Sequence, residues 1–189
     1  MTKFTTHTAE TAPAESKAML EGAQAKMGFV PNIFGNMAEA PALLEGYMVL
    51  AGTFDNKSSL DDSERQIVTM TNNVLNGCTY CMAAHTVIAQ GQDVPDDVIN
   101  ALRDGTPLPN EKLEALRTFS RLMNEKHGRP SEAELQAFFD AGYTQQAALE
   151  VVVGTALKVM SNYTNAIAGT QVDEAFAPAA WAASCNKAA

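Results

Sequence analysis

The chain has 189 residues, 46% of them hydrophobic, and a net charge of −9, which fits a single globular domain. The negative charge and the lack of a lysine and arginine cluster argue against nucleic acid and anionic membranes as partners. No apolar run reaches the roughly 18 residues that span a bilayer, and residues 1–10 lack a secretion signal's apolar core, so we expect a cytoplasmic protein.

Helical periodicity dominates the chain and alternation of β-branched residues is nearly absent, which predicts an all-α fold. We expect helices at about 13–27, 41–53, 60–75, 78–90, 96–103 and 111–126, another from about 131, and a long one at 143–168. Residues 28–32 and 55–59 should be loops. We expect residues 1–12 to be a flexible N-terminal segment, residues 13–170 a single helical domain and residues 171–189 a C-terminal tail.

The most informative segment is NGCTYCMAAH at residues 76–85. Asn-Gly is a helix-stop signal, and a new helix should begin at or near Cys78. On that helix Cys78, Cys81 and His85 share one face, because they are spaced by three and four residues. Neighbours three apart lie about 5–6 Å apart at Cβ, and a disulfide needs Cα atoms about 4.4–6.8 Å apart. The two thiols can therefore form a disulfide with modest adjustment.

Several functions of this cysteine pair are open. Two cysteines could simply pack in the core, although His85 and the helix stop count against that. Structural zinc takes four ligands, and the segment supplies three, Cys78, Cys81 and His85, with the other histidines and the third cysteine far away in sequence. Haem attachment needs a histidine where Met82 stands. A redox-active dithiol fits best.

The sequence contains no glycine-rich fingerprint for a dinucleotide or a phosphate group. We therefore expect neither a cofactor nor a metal. A cysteine reacts as its thiolate, and two local features could favour that form. The positive end of the helix dipole lies near Cys78, whereas His85 lies one turn after Cys81 and could share its proton. The residues alone leave open which sulfur attacks.

The pattern Asn-Gly-Cys-x-Tyr-Cys-x-x-x-His resembles the AhpD-like alkylhydroperoxidase branch of the carboxymuconolactone decarboxylase superfamily. LDDSERQI at 60–67, FVPNIF at 29–34 and NYTN at 162–165 are similar to its peroxidase-related members. The resemblance implies an AhpD-like helical fold with the CxxC motif at the start of a helix. It also implies a homo-oligomer (dimer, trimer or hexamer) and peroxidase activity on organic hydroperoxides.

The resemblance further implies a role for each residue of the motif. Cys81 would attack the peroxide, Cys78 would resolve the sulfenic acid, and His85 would belong to a proton relay. A dithiol reductant protein, lipoylated or thioredoxin-like, would then restore the pair.

The sequence departs from the family pattern in the proton relay. The position twelve residues before the first cysteine, where a glutamate is usual, is Gln66, which can orient a water or an imidazole but cannot take a proton. Glu64 points about 200° away from Gln66 on a helix, and Glu150 in the late helix is another carboxylate that could serve. Tyr80 stands where some members have a histidine, and it is a poor base at neutral pH.

The favoured function is therefore a thiol-dependent alkyl hydroperoxide reductase. A small-molecule lyase of the carboxymuconolactone decarboxylase type is the alternative enzyme, but such members work without the dithiol. A non-catalytic redox switch or binding protein is the third possibility, and the glutamine at position 66 is compatible with it.

Overall fold

The computed structural model describes residues 4–182. The helices in this range are α1 (Ala14–Met27), α2 (Asn32–Met37), α3 (Pro41–Lys57), α4 (Asp62–Leu75), α5 (Thr79–Gly91), α6 (Asp96–Asp104), α7 (Glu111–Glu125), α8 (Glu132–Asp140) and α9 (Gln145–Ala168), followed by a 3-10 helix (Glu174–Ala179). Residues 4–182 contain no strand, which confirms the predicted all-α class. No helix among them is long and apolar enough to cross a membrane.

Local caps explain why several helices begin where the sequence predicts. Asp61 and Glu64 form a reciprocal capping box at the start of α4, and Ser131 and Glu134 form another at the start of α8. Each box satisfies backbone N–H groups that have no partner inside the helix. α3 extends to Lys57, past its predicted end and into the predicted loop at 55–59. Phe54, which is buried in the core, holds this last stretch against the domain.

The short helix α2 was not predicted, because its start depends on a distant residue. The carboxylate of Asp173 accepts the backbone N–H of Asn32 at 3.0 Å. A carboxylate at a helix N-terminus satisfies an orphan donor and favours the helix dipole. The cap is 141 residues away in sequence, so no local pattern announces it.

Part of the N-terminal segment that was predicted at residues 1–12 contacts α2. The backbone N–H of His7 donates to Gly35 O at 3.1 Å, and Thr6 Oγ1 donates to Asn36 Oδ1 at 2.7 Å. A Cβ at position 35 would lie 2.6 Å from His7 O, so only glycine permits this approach. Ala12 is buried as well. The segment therefore packs on α2.

The C-terminal stretch is also folded over the helical domain. Phe176 is buried and meets Tyr80 of α5 edge to face, with ring centroids 6.2 Å apart. The Trp181 indole N–H donates to Arg103 O at 2.9 Å. These contacts place residues 171–181 beside α5 and thus beside the cysteine pair.

Gly154 of α9 allows this helix to pack closely against α4 in the core. A Cβ at Gly154 would lie 2.6 Å from Val68 Cγ1 of α4 and 2.9 Å from the Phe54 ring. The missing side chain lets the two helices approach closely, as glycine often does where backbones meet. Lys158, one turn further along α9, is consequently fully buried.

Candidate functional site

The cysteine pair lies at the start of α5, and the turn before it sets the geometry. Gly77 has φ of +61°, a left-handed conformation that glycine adopts without strain. Cys78 then donates its backbone N–H to Asn73 O at 2.9 Å. It is the N-cap of α5, and its Sγ accepts the backbone N–H of Cys81 at 3.3 Å. The helix thus begins at Thr79, one residue after the predicted start.

A ladder of asparagine side chains fixes this turn to α9. Asn76 Nδ2 donates to Asn162 Oδ1 at 2.9 Å, and Asn162 Nδ2 donates to Asn73 Oδ1 at 3.0 Å. Buried amides joined in this way restrict the position of every member. The start of α5 is therefore held rigidly beside α9.

Asn165, one turn after Asn162, contacts both sulfurs. Its Nδ2 donates to Cys81 Sγ at 3.1 Å and lies 3.6 Å from Cys78 Sγ. A hydrogen bond to the charged form of a group favours that form. Asn165 therefore favours a thiolate at Cys81.

A chain of buried and half-buried side chains leads away from the cysteines on the other side. The imidazole of His85 contacts Gln66 Oε1 through Nδ1 at 2.9 Å and Lys158 Nζ through Nε2 at 2.9 Å. Gln66 Nε2 in turn donates to Gln92 Oε1 at 2.9 Å. Because Oε1 only accepts and an ammonium only donates, the proton of His85 sits on Nδ1 and Nε2 accepts from Lys158.

Lys158 is the charged group at this site. It is 0% exposed, and within residues 4–182 no carboxylate forms an ion pair with it. An ammonium buried without a counter-charge is strongly disfavoured. The nearby thiolate of Cys81 supplies that negative charge.

The two cysteines therefore differ in protonation. Burial alone raises the pKa of Cys81, but the hydrogen bond from the Cys78 thiol and the charge of Lys158 outweigh it and lower the pKa to about 5. The pKa of Cys78 is raised, first by this same hydrogen bond to Cys81 and second by burial. These opposite shifts favour the thiolate at Cys81 and the thiol at Cys78.

His85 lies between Gln66 and Lys158 and contacts both of them. Burial and the adjacent Lys158 charge move its pKa well below the ordinary value, so the imidazole is neutral at physiological pH. Its Nε2 accepts from Lys158, and its Nδ1–H is held by Gln66. His85 and Gln66 thus position Lys158, and Gln66 meets the imidazole directly rather than through a water.

The other predicted relay residues lie elsewhere. Glu64 closes the capping box of α4 and pairs with Lys112 at 3.3 Å. Glu150 binds Ser58 and Ser59 between α3 and α4, with its carboxylate 2.7 Å from Ser59 Oγ. Both carboxylates are therefore occupied by structural contacts, and neither lines the cavities at Cys78 and Cys81.

Tyr80 anchors the C-terminal stretch. Its hydroxyl donates to Asp173 Oδ2 at 2.5 Å and accepts the backbone N–H of Ile33 at 3.4 Å. Burial and the hydrogen bond to Asp173 raise the pKa of Tyr80. It is therefore a structural donor, and the structure gives it no part in proton transfer.

An apolar cavity of about 80 Å³ ends at Cys81. Its walls come from α1, α2, α3, α5 and the 3-10 helix, and include Met27, Ile33, Phe34, Tyr47, Ile88 and Phe176. His85 and Lys158 also reach it. The site therefore presents a thiolate and a cation to a small molecule with an apolar body.

Sequence analysis missed two residues of this site. Lys158 interrupts the longest apolar stretch of the sequence, and a lone lysine there was the available signal. Asn165 belongs to the NYTN segment, but nothing in the sequence indicates its contact with the sulfurs. Within residues 4–182 no group of three or more His, Cys, Asp or Glu side chains is arranged to hold a metal. Cys185 lies outside the described residues.

The fold of residues 4–182 is AhpD-like, with the paired thiols at the start of α5. Residues 41–109, which contain the CxxC motif and His85, match the sequence profile of the Carboxymuconolactone decarboxylase family. No curated protein matches the chain. The predicted resemblance to the AhpD-like proteins of the carboxymuconolactone decarboxylase superfamily is thereby confirmed.

Three solved structures illustrate the fold. One is the alkylhydroperoxidase AhpD core of a peroxidase-related protein from Ralstonia eutropha JMP134, with a TM-score of 0.82, 20% identity and coverage of 92% of this chain and 93% of that one. A peroxidase-related protein from Silicibacter sp. TM1040 has a TM-score of 0.76 and 19% identity, and the match covers 93% of this chain and 97% of that one. The third is the debrominase Bmp8, solved as a cysteine-to-alanine variant in complex with 2,3,4-tribromopyrrole. It has a TM-score of 0.77 and 20% identity, and the match covers 95% of this chain and 96% of that one.

Proposed function

We propose that this protein is a thiol-dependent reductase of organic hydroperoxides and that Cys81 is its nucleophile. One observation carries the proposal: Cys81 Sγ accepts a hydrogen bond from Asn165 and lines an apolar cavity, and the Cys78 hydrogen bond and the Lys158 charge outweigh burial and lower its pKa to about 5. A low-pKa thiolate beside a second thiol is the arrangement that reacts with peroxides and then forms a disulfide.

In the first step the Cys81 thiolate attacks the terminal oxygen of the hydroperoxide. The S–O bond forms as the O–O bond breaks, leaving a sulfenic acid and an alkoxide. Lys158 faces the cavity where the alkoxide develops, stabilises its negative charge and gives it a proton, so the product is the alcohol. The ammonium regains its proton from solvent.

In the second step Cys78 resolves the sulfenic acid. Its sulfur bonds to Cys81 Sγ, and the hydroxyl leaves with the Cys78 proton as water. The cycle so far consumes one hydroperoxide and oxidises two thiols to one disulfide. A dithiol reductant must return two electrons to the pair.

A second candidate function is reductive debromination. The debrominase that shares this fold over 95% of the chain was solved with a brominated pyrrole, and the apolar cavity at Cys81 also suits a small halogenated ring. The lyase and redox-switch alternatives remain as well. The lyase would have no use for the polarised thiol pair, and the switch would need no substrate cavity.

The deciding experiment is consumption of tert-butyl hydroperoxide with dithiothreitol as reductant. We expect turnover by the wild type and by Cys185→Ser, and none by Cys81→Ser. Debromination of 2,3,4-tribromopyrrole and lactone decarboxylation are assayed with the same three proteins. Turnover of one of those substrates without hydroperoxide consumption would replace the proposal, and reversible oxidation without any turnover would favour the switch.

We retain cytoplasmic location and homo-oligomerisation as predictions. Apolar side chains are exposed along α9, among them Leu149, Val152, Tyr163 and Ile167. Such a stripe is typical of a surface that associates. Light scattering of the purified protein measures its mass in solution.

A further inference from the structure

The apolar cavity at Cys81 has a buried end and an open end. Cys81 and Lys158 line it and are 3% and 0% exposed. Met27, the last residue of α1, and Ile88 of α5 line the same cavity and are 41% and 37% exposed. The reacting groups therefore lie at the buried end, and these two apolar side chains form a mouth at the protein surface.

The cavity is too small to enclose a whole organic hydroperoxide. Its volume is about 80 Å³, whereas a dry apolar cavity of about 150 Å³ in another protein holds one benzene molecule. The space beside Cys81 thus holds about half of the heavy atoms of a benzene ring, which is enough for the peroxide oxygens and the first carbon. The rest of a longer substrate has to pass through the mouth.

Interlocked aromatic rings set the width of the inner part. Phe34 and Tyr47 meet edge to face with ring centroids 5.9 Å apart, and Tyr80 and Phe176 do so at 6.2 Å. All four rings line the cavity. Edge-to-face contact is a favoured arrangement of rings, and interiors packed in this way do not widen easily. The carbon next to the peroxide group is therefore allowed little branching.

The mouth has a different character from the inner walls. Methionine is unbranched and has three rotatable bonds, so Met27 can adapt to apolar chains of different length and shape. Ile88 adds a second apolar surface that is partly in contact with solvent. Covering both side chains with an alkyl chain removes apolar area from water, which is favourable. A chain that leaves the cavity is therefore bound where it emerges.

We propose that Met27 and Ile88 bind the alkyl chain of the substrate and make the site selective for unbranched over branched hydroperoxides. The inference rests on the proposed function, because it assigns the substrate shape of the same site. Cys81 sulfur takes the terminal oxygen as the O–O bond breaks, and Lys158 protonates the alkoxide, so that an unbranched alcohol leaves through the mouth. Met27 and Ile88 determine specificity and do not touch the reacting atoms.

Chain length provides a quantitative measure of this contact. Full burial of one CH2 group changes a binding constant by about fourfold, and a chain that lies on a partly exposed surface gains part of that. We expect the rate constant of Cys81 oxidation to rise by about twofold for each CH2 group added between ethyl and hexyl hydroperoxide. A tertiary hydroperoxide should react more slowly than the hexyl compound, because its branched carbon meets the aromatic walls.

The test is single-turnover oxidation of Cys185→Ser protein, in which only Cys78 and Cys81 carry thiols. Stopped flow measures the reaction with ethyl, butyl, hexyl and tert-butyl hydroperoxide. Each rate is divided by the rate with hydrogen peroxide, which has no chain, so that a change in Cys81 itself cancels. Met27→Ser and Ile88→Ser make the mouth polar. Val49→Ser, at an exposed position of α3 outside the cavity, is the control.

In the control, hexyl hydroperoxide should react about tenfold or more faster than ethyl hydroperoxide. This gain should be at least about threefold smaller in Met27→Ser and in Ile88→Ser, because the chain then emerges onto a polar surface. A gain that is equal in all three variants would overturn the inference. So would a tert-butyl hydroperoxide reaction that is faster than the hexyl one.

N-alkyl iodoacetamides examine the same mouth without a hydroperoxide. In protein that carries Cys78→Ser and Cys185→Ser, the Cys81 thiolate displaces iodide and forms a thioether. The rate should rise from the N-ethyl to the N-hexyl reagent, and adding Ile88→Ser should abolish most of that rise. A protein that is inert to every hydroperoxide but keeps this dependence would sink the proposed function and support chain binding at the mouth. Equal rates for all the reagents would refute chain binding, whatever the protein does with hydroperoxides.

Discussion

Lys158 Nζ lies 2.9 Å from His85 Nε2, in a contact between a fully buried lysine and a half-buried histidine. The neutral imidazole accepts one ammonium proton and thereby fixes the direction of the lysine. A cation held permanently beside Cys81 keeps the thiolate without a base that must take its proton in each cycle.

Lys158→Met should cripple the reaction with hydroperoxide while leaving the fold intact. Without the cation the pKa of Cys81 returns toward the ordinary value of about 8.5, so the thiolate fraction at pH 7 falls about 30-fold. Stopped-flow reaction with tert-butyl hydroperoxide measures the loss, and Lys158→Arg is the control that keeps the charge.

The same variant also distinguishes an electrostatic role from a structural one. Replacing a buried charge by an apolar side chain of similar size is often neutral or stabilising. We therefore expect the Tm of Lys158→Met to equal or exceed that of the wild type. A large fall in Tm together with the activity loss would show that Lys158 acts mainly through the fold.

The pH dependence should report the Cys81 thiolate directly. Since the thiolate is the reactive form, the rate should be constant above about pH 6 and fall as the pH drops through the pKa of about 5. Thiolate absorbance of the reduced protein during a pH titration is an independent measure. A midpoint near 8.5 would contradict the electrostatics of the site.

The hydrogen bond between the two thiols predicts a difference between two variants of Cys78. Serine keeps a donor toward Cys81, and alanine removes it. The pKa of Cys81 should therefore be higher in Cys78→Ala than in Cys78→Ser, by titration of thiolate absorbance. Equal values would mean that Lys158 and Asn165 stabilise the thiolate without help from Cys78.

Gln66→Glu should raise the pKa of His85 and, with it, the turnover. A buried carboxylate would accept the Nδ1–H of His85 in place of the amide oxygen and favour the imidazolium, although the donor to Gln92 is lost. An imidazolium gives up its contact with Lys158 and can instead protonate the alkoxide, and a well-placed general acid contributes about 10²–10⁴-fold in favourable enzymes. NMR of the imidazole carbon-bound protons measures the pKa, and Gln92→Glu controls for the added charge. A pKa that rises without any gain in turnover would limit His85 to its positioning role.

Tyr80→Phe should destabilise the protein through the C-terminal stretch. The change removes a buried hydrogen bond to the Asp173 carboxylate, which is worth about 1–3 kcal/mol of unfolding free energy. Urea denaturation measures the loss, and Tyr163→Phe, whose side chain is exposed, is the control. Equal stability of the two variants would mean that Asp173 is held by its contact with Asn32 alone.

The parts of this structure that could be predicted from sequence depend on local signals. The capping box of Asp61 and Glu64 marks α4, and the Asn-Gly stop marks the start of α5 to within one residue. The CxxC spacing likewise brings Cys78 and Cys81 together on one helix. All of these signals lie within a few residues of the feature that they predict.

The parts that could not be predicted depend on contacts between distant residues. Lys158 meets His85 across 73 residues of sequence, and Asp173 caps α2 across 141. Periodicity shows which face of a helix is buried but does not show which buried polar side chains face each other. Sequence patterns likewise do not show that Glu150 binds Ser58 and Ser59 across more than 90 residues.

The central claim is that Cys81 is the thiolate that attacks the hydroperoxide. Its most direct test is mass spectrometry of Cys78→Ser protein treated with one equivalent of tert-butyl hydroperoxide and trapped with dimedone, in the Cys185→Ser background. We predict a dimedone adduct on Cys81, and no adduct in the Cys81→Ser counterpart. An adduct on Cys78 in Cys81→Ser, with Cys81 unlabelled in Cys78→Ser, would contradict the account.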